Sequence, residues 1–96
     1  MLADMATNLE AARLLAFKAA FLADQGEPFT VYASMAKLFA SELCMDASTK
    51  GIQIFGGYGY MMDLPLQRFF RDAKLTTIYE GTSEVQRMII SRNLLH

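Results

Sequence analysis

The chain has 96 residues, of which 53% are hydrophobic and 20% are charged, and its nine basic and ten acidic residues give a formal net charge of −1. Because these charges are spread along the sequence without a basic cluster, we do not expect a nucleic-acid-binding protein. The single cysteine, Cys44, excludes an internal disulfide, and the single histidine, His96, argues against a metal site or a catalytic triad built on histidine.

The first predicted element is a helix over residues 2–24, in which apolar residues recur at steps of three and four. The residues of this seam are Leu2, Met5, Leu9, Ala12, Ala16, Ala19 and Ala23. Its alanines would let another helix approach closely. Large apolar residues on the other faces, among them Phe17 and Phe21, predict that this helix is buried on most sides.

The second predicted helix covers residues 30–55 and follows a break at Gly26 and Pro28. Gly26 is typical of a helix C-cap, Pro28 prevents continuation, and Thr30 is the predicted N-cap of the second helix. Glycines at three of the positions 56–59 end this helix and predict a loop whose backbone can adopt positive φ angles.

Two shorter helices are predicted at residues 66–75 and 83–95, with a loop that contains Glu80 between them. Ser83 and Gln86 match the capping-box pattern, in which the serine caps the helix and the glutamine reaches back to it. No segment of useful length alternates between apolar and polar residues as a strand does. The predicted fold class is therefore all-α, an antiparallel helical bundle or part of one.

The loop between the last two helices carries the first candidate functional residue. Glu80 precedes Gly81, and the free N–H groups of the following helix N-terminus point towards this loop. Such an arrangement can hold a general base beside backbone donors. The local pattern alone favours a simpler interpretation, a solvated carboxylate before an ordinary helix, because most carboxylates are exposed.

The glycine-rich end of the second helix is another candidate, over residues 53–57. Bare backbone there could lie against a cofactor, and the Gln53 amide offers both a donor and an acceptor. Glycine-rich helix ends are common, so the local pattern alone favours a helix end with a glycine cap.

A third candidate is the charged segment 68–72, in which Arg68 and Arg71 could bind a phosphate or carboxylate. An internal pair between arginine and Asp72 is the favoured interpretation here.

Together these segments resemble the C-terminal region of the acyl-CoA dehydrogenase family. The matching stretches read QIFGGYGY over residues 53–60, RDAK over 71–74 and IYEGTSEVQR over 78–87, in the family's order and spacing. Each motif alone is weak, but their joint occurrence is specific and reverses the local preference at Glu80 and at residues 53–57. The resemblance is close over residues 51–95 and looser before them.

The resemblance implies an FAD-dependent enzyme that oxidises an acyl-CoA thioester to trans-2-enoyl-CoA. Glu80 would be the base that removes the α-proton, while the flavin N5 accepts a hydride from the β-carbon. The backbone N–H of Glu80 would bind the thioester oxygen and stabilise the charge that develops on it. No metal is implied.

Further site residues follow from the family's motifs, position by position. The expected FAD-binding positions are Gln53, Ile54, Phe55, Gly56 and Gly57, against the flavin of a neighbouring subunit, and Thr82, Ser83 and Glu84 after the catalytic loop. Gly81 and Arg92 match substrate-binding positions. Glu84 departs from the glutamine that relatives often carry there, so an amide contact is not expected from it.

The family's subunit has an N-terminal helical domain, a middle β-domain and a C-terminal four-helix domain. Residues 1–96 match the later part of the last one, so we expect a single helical domain that is a fragment, or a truncated homologue, and is inactive alone. The implied partners are an acyl-CoA substrate, further copies in a homotetramer or dimer, and an electron-transfer flavoprotein.

The expected location is the bacterial cytoplasm or the mitochondrial matrix, since no run of about 20 apolar residues and no secretory signal pattern is present. The alternative function is a non-catalytic helical oligomerisation module, because so apolar a short chain is expected to cover part of its surface with a partner.

Overall fold

The structure, a computed structural model, describes residues 2–95, and its regular elements are all helices. Its elements are α1 (Leu2–Asp24), α2 (Thr30–Phe55), a short 3₁₀ helix (Gly56–Tyr60), α3 (Leu66–Thr76) and α4 (Ser83–Leu94). No strand occurs in the described residues. The predicted all-α class is confirmed, while the prediction that rests on His96 lies outside the described residues.

The turn between α1 and α2 ends the first helix by backbone hydrogen bonding. The N–H of Glu27 donates to the carbonyl of Leu22 at 2.9 Å, and the N–H of Gly26 donates to that of Ala23 at 3.1 Å. This pair of bonds is a Schellman motif, with glycine at the position where a left-handed backbone is needed. The predicted helix stop at Gly26 is therefore confirmed, whereas the predicted N-cap is wrong by one residue, since Thr30 is the first residue of α2 and the N-cap is Phe29, which makes no side-chain cap bond.

Helices α1 and α2 pack side by side in opposite directions. The Lys18 ammonium lies 4.2 Å from the ring centre of Tyr32 near the turn, and Met5 shares a cavity with Ala47 at the far end. Ala12 and Ala19 of the predicted seam are buried, with 7% and 8% of their surface exposed. Small side chains at this contact let the two helices approach closely.

The other faces of α1 do not match the prediction of burial on most sides. Leu14, Phe17 and Phe21 are 59%, 63% and 62% exposed. The physical reason is that α1 packs on α2, and no other described helix covers its remaining faces. Cys44 is also exposed, although a lone cysteine is more often a small buried hydrophobe.

Helix α2 is the centre of the fold, because α1, the 3₁₀ helix, α3 and α4 all pack against it. The buried residues of the described range are all small or polar, and they comprise Ala12, Ala19, Ser34, Ser41, Gly59, Ala73, Ser83 and Gln86. Ser83 and Gln86 belong to the start of α4, so two of the four buried polar residues lie beside the Glu80 loop.

Candidate active site

The loop between α3 and α4 is closed by its own backbone. The N–H of Tyr79 donates to the Leu75 carbonyl at 3.1 Å, and the N–H of Ser83 donates to the Thr77 carbonyl at 3.2 Å. The second bond ties the first residue of α4 to the residue that follows α3. Glu80 therefore projects from a short loop whose two ends are fixed to each other.

Glu80 has an unusual backbone conformation. Its φ is 57°, and among residues 2–95 it is the one residue other than glycine with a positive φ. A side chain in this left-handed region costs of the order of 1–3 kcal/mol and persists where the surroundings hold it. The carboxylate is exposed, and the backbone N–H of Glu80 has no partner within the described residues. An acceptor and a donor are thus both available at this one residue.

Gly81 and Gln86 hold the strained residue from the α4 side. The buried Gln86 side chain donates from Nε2 to the Glu80 carbonyl at 3.3 Å. Gly81 has a φ of 96°, and a Cβ there would lie 2.6 Å from Gln86 Nε2. A glycine is required because any larger residue would be strained and would push against this glutamine.

The capping of α4 differs from the prediction by one residue. Thr82, rather than Ser83, is the N-cap, and its hydroxyl accepts from the Val85 N–H at 3.2 Å. Gln86 therefore does not reach back to Ser83 but bonds the Glu80 carbonyl. The predicted capping box is wrong in register, since Thr82 and Ser83 can both cap a helix and only the loop geometry chooses between them.

Lys37 of α2 holds the loop from the other side. Its ammonium donates to the carbonyls of Thr76 and Gly81, each at 2.7 Å. No motif in the sequence marks Lys37 as a functional residue. The available signal was its charge, since Lys37 is the one charged residue between positions 28 and 41.

The start of α4 borders an open cavity of about 610 Å³ that Thr82, Ser83 and Glu84 help to line. Ser83 is only 7% exposed, and its hydroxyl has no hydrogen-bond partner among residues 2–95. A buried hydroxyl usually has a partner, so this one is available to a bound group. The N–H groups at the N-terminus of α4 favour an electronegative group in the same place.

The glycine-rich end of α2 lies in a different place. Gln53 lines a second cavity, of about 430 Å³, together with Tyr60, Phe70 and Arg71. Thr49 of α2 lines both cavities, so the two cavities are neighbours, but the predicted FAD-binding residues of α2 and those of α4 do not line one common cavity within the described residues.

The backbone at the end of α2 is open. Gly56 has a φ of 62°, and no atom lies within 4 Å of the position that its Cβ would occupy. Ile54 and Phe55 are each 54% exposed. This segment therefore offers bare backbone and apolar side chains to a molecule outside the chain, whereas Gly59, the third glycine, is buried.

One predicted contact is absent from the described residues, and one predicted site residue, Arg92, lies apart from the others. The favoured pair between arginine and Asp72 does not form, since the ion pairs join Lys50 to Asp46 and Arg87 to Glu42. Arg92 is exposed and lies nine residues after the start of α4, or about 14 Å along the helix axis. The structure does not bring Arg92 together with Glu80.

Residues 2–95 contain neither a candidate metal cluster nor a helix that could span a membrane. No cluster of three or more histidine, cysteine, aspartate or glutamate side chains could hold a metal ion there. None of the helices in the same range combines the length and the apolar character needed to span a bilayer.

The chain matches known proteins over nearly its whole length. The family described as "Acyl-CoA dehydrogenase, C-terminal domain" matches residues 1–95. Cyclohexane-1-carbonyl-CoA dehydrogenase of Geobacter metallireducens is 56% identical, over 99% of this chain and 25% of its own length. The caffeyl-CoA reductase-Etf complex subunit CarC of Acetobacterium woodii is 54% identical, over 99% of this chain and 25% of its own length.

Among solved structures, butyryl-CoA dehydrogenase from Megasphaera elsdenii superposes with a TM-score of 0.95. The sequence identity is 53%, and the match covers 99% of this chain and 25% of that one. The chain thus spans about a quarter of the length of the relatives it matches.

Proposed function

The chain belongs to the acyl-CoA dehydrogenase family, and we propose that residues 1–96 form a helical domain of an FAD-dependent acyl-CoA dehydrogenase. The reaction proposed for that enzyme is the α,β-dehydrogenation of an acyl-CoA thioester. Because the chain spans a quarter of its relatives, the activity belongs to the enzyme in which this segment stands, and we expect the isolated chain to be inactive.

The observation that best supports this proposal is the strained backbone conformation of Glu80. It is the one non-glycine residue of residues 2–95 with a positive φ, and three hydrogen-bonded groups hold its loop. Strain that the surroundings maintain in this way is typical of functional positions. The strained residue is also the one that the motif over residues 78–87 identifies as the base.

Glu80 would perform the proton transfer. Its carboxylate takes the proton from the substrate's α-carbon, and the C–H electron pair moves towards the thioester carbonyl. The free N–H of Glu80 donates to the thioester oxygen as negative charge develops there. Gly81 has no side chain, so the substrate can approach the carboxylate closely. Bound FAD supplies, at its N5, the acceptor for the hydride that leaves the β-carbon.

The residues at the two cavities fit FAD. The unpartnered Ser83 hydroxyl and the α4 N-terminus suit polar atoms of the cofactor, with Thr82 and Glu84 beside them. The residues at the end of α2 suit a second flavin, held by a neighbouring copy, because their backbone is open and their side chains are exposed. These residues are Gln53, Ile54, Phe55, Gly56 and Gly57.

The proposed partners are an acyl-CoA, further copies of the enzyme and an electron-transfer flavoprotein. Exposed large apolar residues on α1 and α4, among them Phe17 and Met88, support association with other copies. The Acetobacterium relative is named as a subunit of a reductase-Etf complex, which supports the electron-transfer partner. Substrate binding by Gly81 and Arg92, and a location in the bacterial cytoplasm or mitochondrial matrix, remain predictions.

A second candidate function is a non-catalytic oligomerisation module, which the same exposed apolar residues favour. The two functions differ in their need for flavin. A colourless oligomer of the purified chain that adds no activity to the remaining domains would favour the module. A yellow, active complex with those domains would favour the enzyme.

The test uses a hybrid enzyme, in which residues 1–96 replace the matching segment of the Megasphaera butyryl-CoA dehydrogenase. We expect Glu80→Gln to abolish nearly all butyryl-CoA turnover while FAD stays bound, because the amide cannot accept the α-proton. Glu27→Gln, in the α1–α2 turn, is the matched control and should leave turnover unchanged. Normal turnover by Glu80→Gln, or a hybrid that binds no FAD, would contradict the proposal.

A further inference from the structure

We propose that Lys37 is a positioning residue for Glu80: its ammonium fixes the α3–α4 loop to α2 and thereby sets the direction of the carboxylate. The inference rests on the proposed role of Glu80 as the base. Lys37 itself does not touch the reacting atoms in this proposal, and it acts through the backbone of Gly81.

The two contacts of Lys37 lie on either side of Glu80. Thr76 is the last residue of α3 and Gly81 directly follows Glu80, and each carbonyl is 2.7 Å from the Lys37 ammonium. Hydrogen bonds from a charged donor are shorter and stronger than neutral ones. A cation at the C-terminal end of α3 also complements the partial negative charge of the helix there. One ammonium thus spans the loop from its start to the residue after the base.

Gly81 needs this contact because its own backbone does not fix its direction. A glycine populates positive and negative φ about equally, so sterics alone do not hold the φ of 96° seen here. Gln86 holds the peptide before Gly81 through the Glu80 carbonyl, and Lys37 holds the peptide after it through the Gly81 carbonyl. The two bonds together fix both sides of the residue beside the base.

Lys37 differs from the other groups that hydrogen-bond this loop because it lies on a different helix, α2. Gln86 and Ser83 belong to α4 and would move with the loop. Among residues 2–95, the Lys37 ammonium provides the hydrogen bonds that join the loop to α2, the helix on which the other elements pack. Loss of this group would leave the loop without a hydrogen bond to α2, so that it could shift together with the first turn of α4, while packing and the pair between Arg87 and Glu42 still join the rest of α4 to α2.

The experiment compares Lys37→Met, which keeps the aliphatic stem, with Lys37→Arg, which restores a cation, in the hybrid enzyme. We expect kcat for butyryl-CoA to fall by about 10- to 100-fold in Lys37→Met, since a displacement of about 1 Å can cost about a hundredfold in rate. KM and FAD content should change little. The isotope effect with α-deuterated butyryl-CoA should rise as proton removal becomes slower, and Lys37→Arg should recover most of kcat.

Lys50→Met is the matched control, because Lys50 lies on the same helix but pairs only with Asp46, four residues before it. It should leave kcat and the isotope effect unchanged. Wild-type kcat in Lys37→Met, or a loss of FAD that Lys37→Arg does not restore, would overturn the positioning role. Glu80→Gln separates this failure from that of the proposed function: if it is inactive while Lys37→Met is fully active, only the inference about Lys37 fails.

Discussion

The α3–α4 loop and helix α1 are stabilised in opposite ways. The loop is held by polar groups within the chain, from Lys37, Gln86 and the Ser83 backbone. Helix α1 has a narrow seam of alanines against α2 and leaves large apolar side chains exposed on its other faces. The loop is thus specified by contacts inside the chain, whereas α1 carries apolar surface that the rest of residues 2–95 does not cover.

This difference shows which properties the segment can contribute by itself. Hydrogen bonds fix direction, so the loop can hold Glu80 in a strained conformation without help from outside. The hydrophobic effect is non-directional, and apolar surface stabilises a fold only when it is buried. The geometry of Glu80, the proposed base, is therefore encoded in this chain, while much of the stability of α1 depends on what packs against it.

The largest effect is expected from Gly81→Ala, which disturbs the hydrogen bonds that hold the α3–α4 loop. A side chain at a φ of 96° is strained, by of the order of 1–3 kcal/mol. Its Cβ would also displace the Gln86 amide, which lies 2.6 Å from that position, and break the bond to the Glu80 carbonyl. We expect kcat of the hybrid enzyme to fall at least about tenfold, as for other misplaced catalytic groups.

Gly51→Ala is the control for this substitution. A Cβ at Gly51 would make an ordinary contact of 3.6 Å with Leu66, and alanine is favoured over glycine inside a helix. Unchanged or higher thermal stability with normal kcat is the expected result. If Gly81→Ala behaved in the same way, the loop would not be held as tightly as described.

A smaller effect is expected at the α1 seam, from Ala19→Leu. Ala19 is 8% exposed, so a larger side chain would force α1 away from α2 at a cost of about 1–3 kcal/mol. Urea unfolding of the 96-residue chain, followed by far-UV circular dichroism, measures this loss. Ala20→Leu places the same group on the exposed neighbour and should leave the unfolding midpoint nearly unchanged. Equal midpoints for the two variants would show that the seam is not tightly packed.

The sequence predicted the helices well because their signals are local. Periodic apolar residues, Gly26 with Pro28 and the glycines after Phe55 mark the ends of the first two helices, and α1 and α2 span the predicted residues 2–24 and 30–55. The last helix ends at Leu94, one residue before its predicted end. Each signal lies within a few residues of the boundary that it marks.

The site was predictable only in part, because its key contacts join distant positions. Lys37 bonds residues 39 and 44 positions later in the chain, and no local pattern encodes such a pairing. The bond from Gln86 to Glu80 was missed for a different reason, since the capping pattern fitted Ser83 as well as Thr82. The motif around Glu80 predicts that this residue is the base, which stays a prediction, and it does not encode how the backbone of Glu80 is held.

The smallest effect on stability is expected on the exposed face of α1, where Phe17→Ser tests what that face is for. Phe17 is 63% exposed, so its replacement should change the free energy of unfolding of the chain by no more than about 0.5 kcal/mol. Its apolar ring would be buried only when another chain covers it, so association should weaken instead. Sedimentation of the chain and of the hybrid enzyme measures the oligomeric state, and Arg13→Ser, at an exposed polar position one turn earlier on α1, is the control. Unchanged association together with a clear loss of stability would mean that the ring packs within its own chain, and the contrast between α1 and the loop would then disappear.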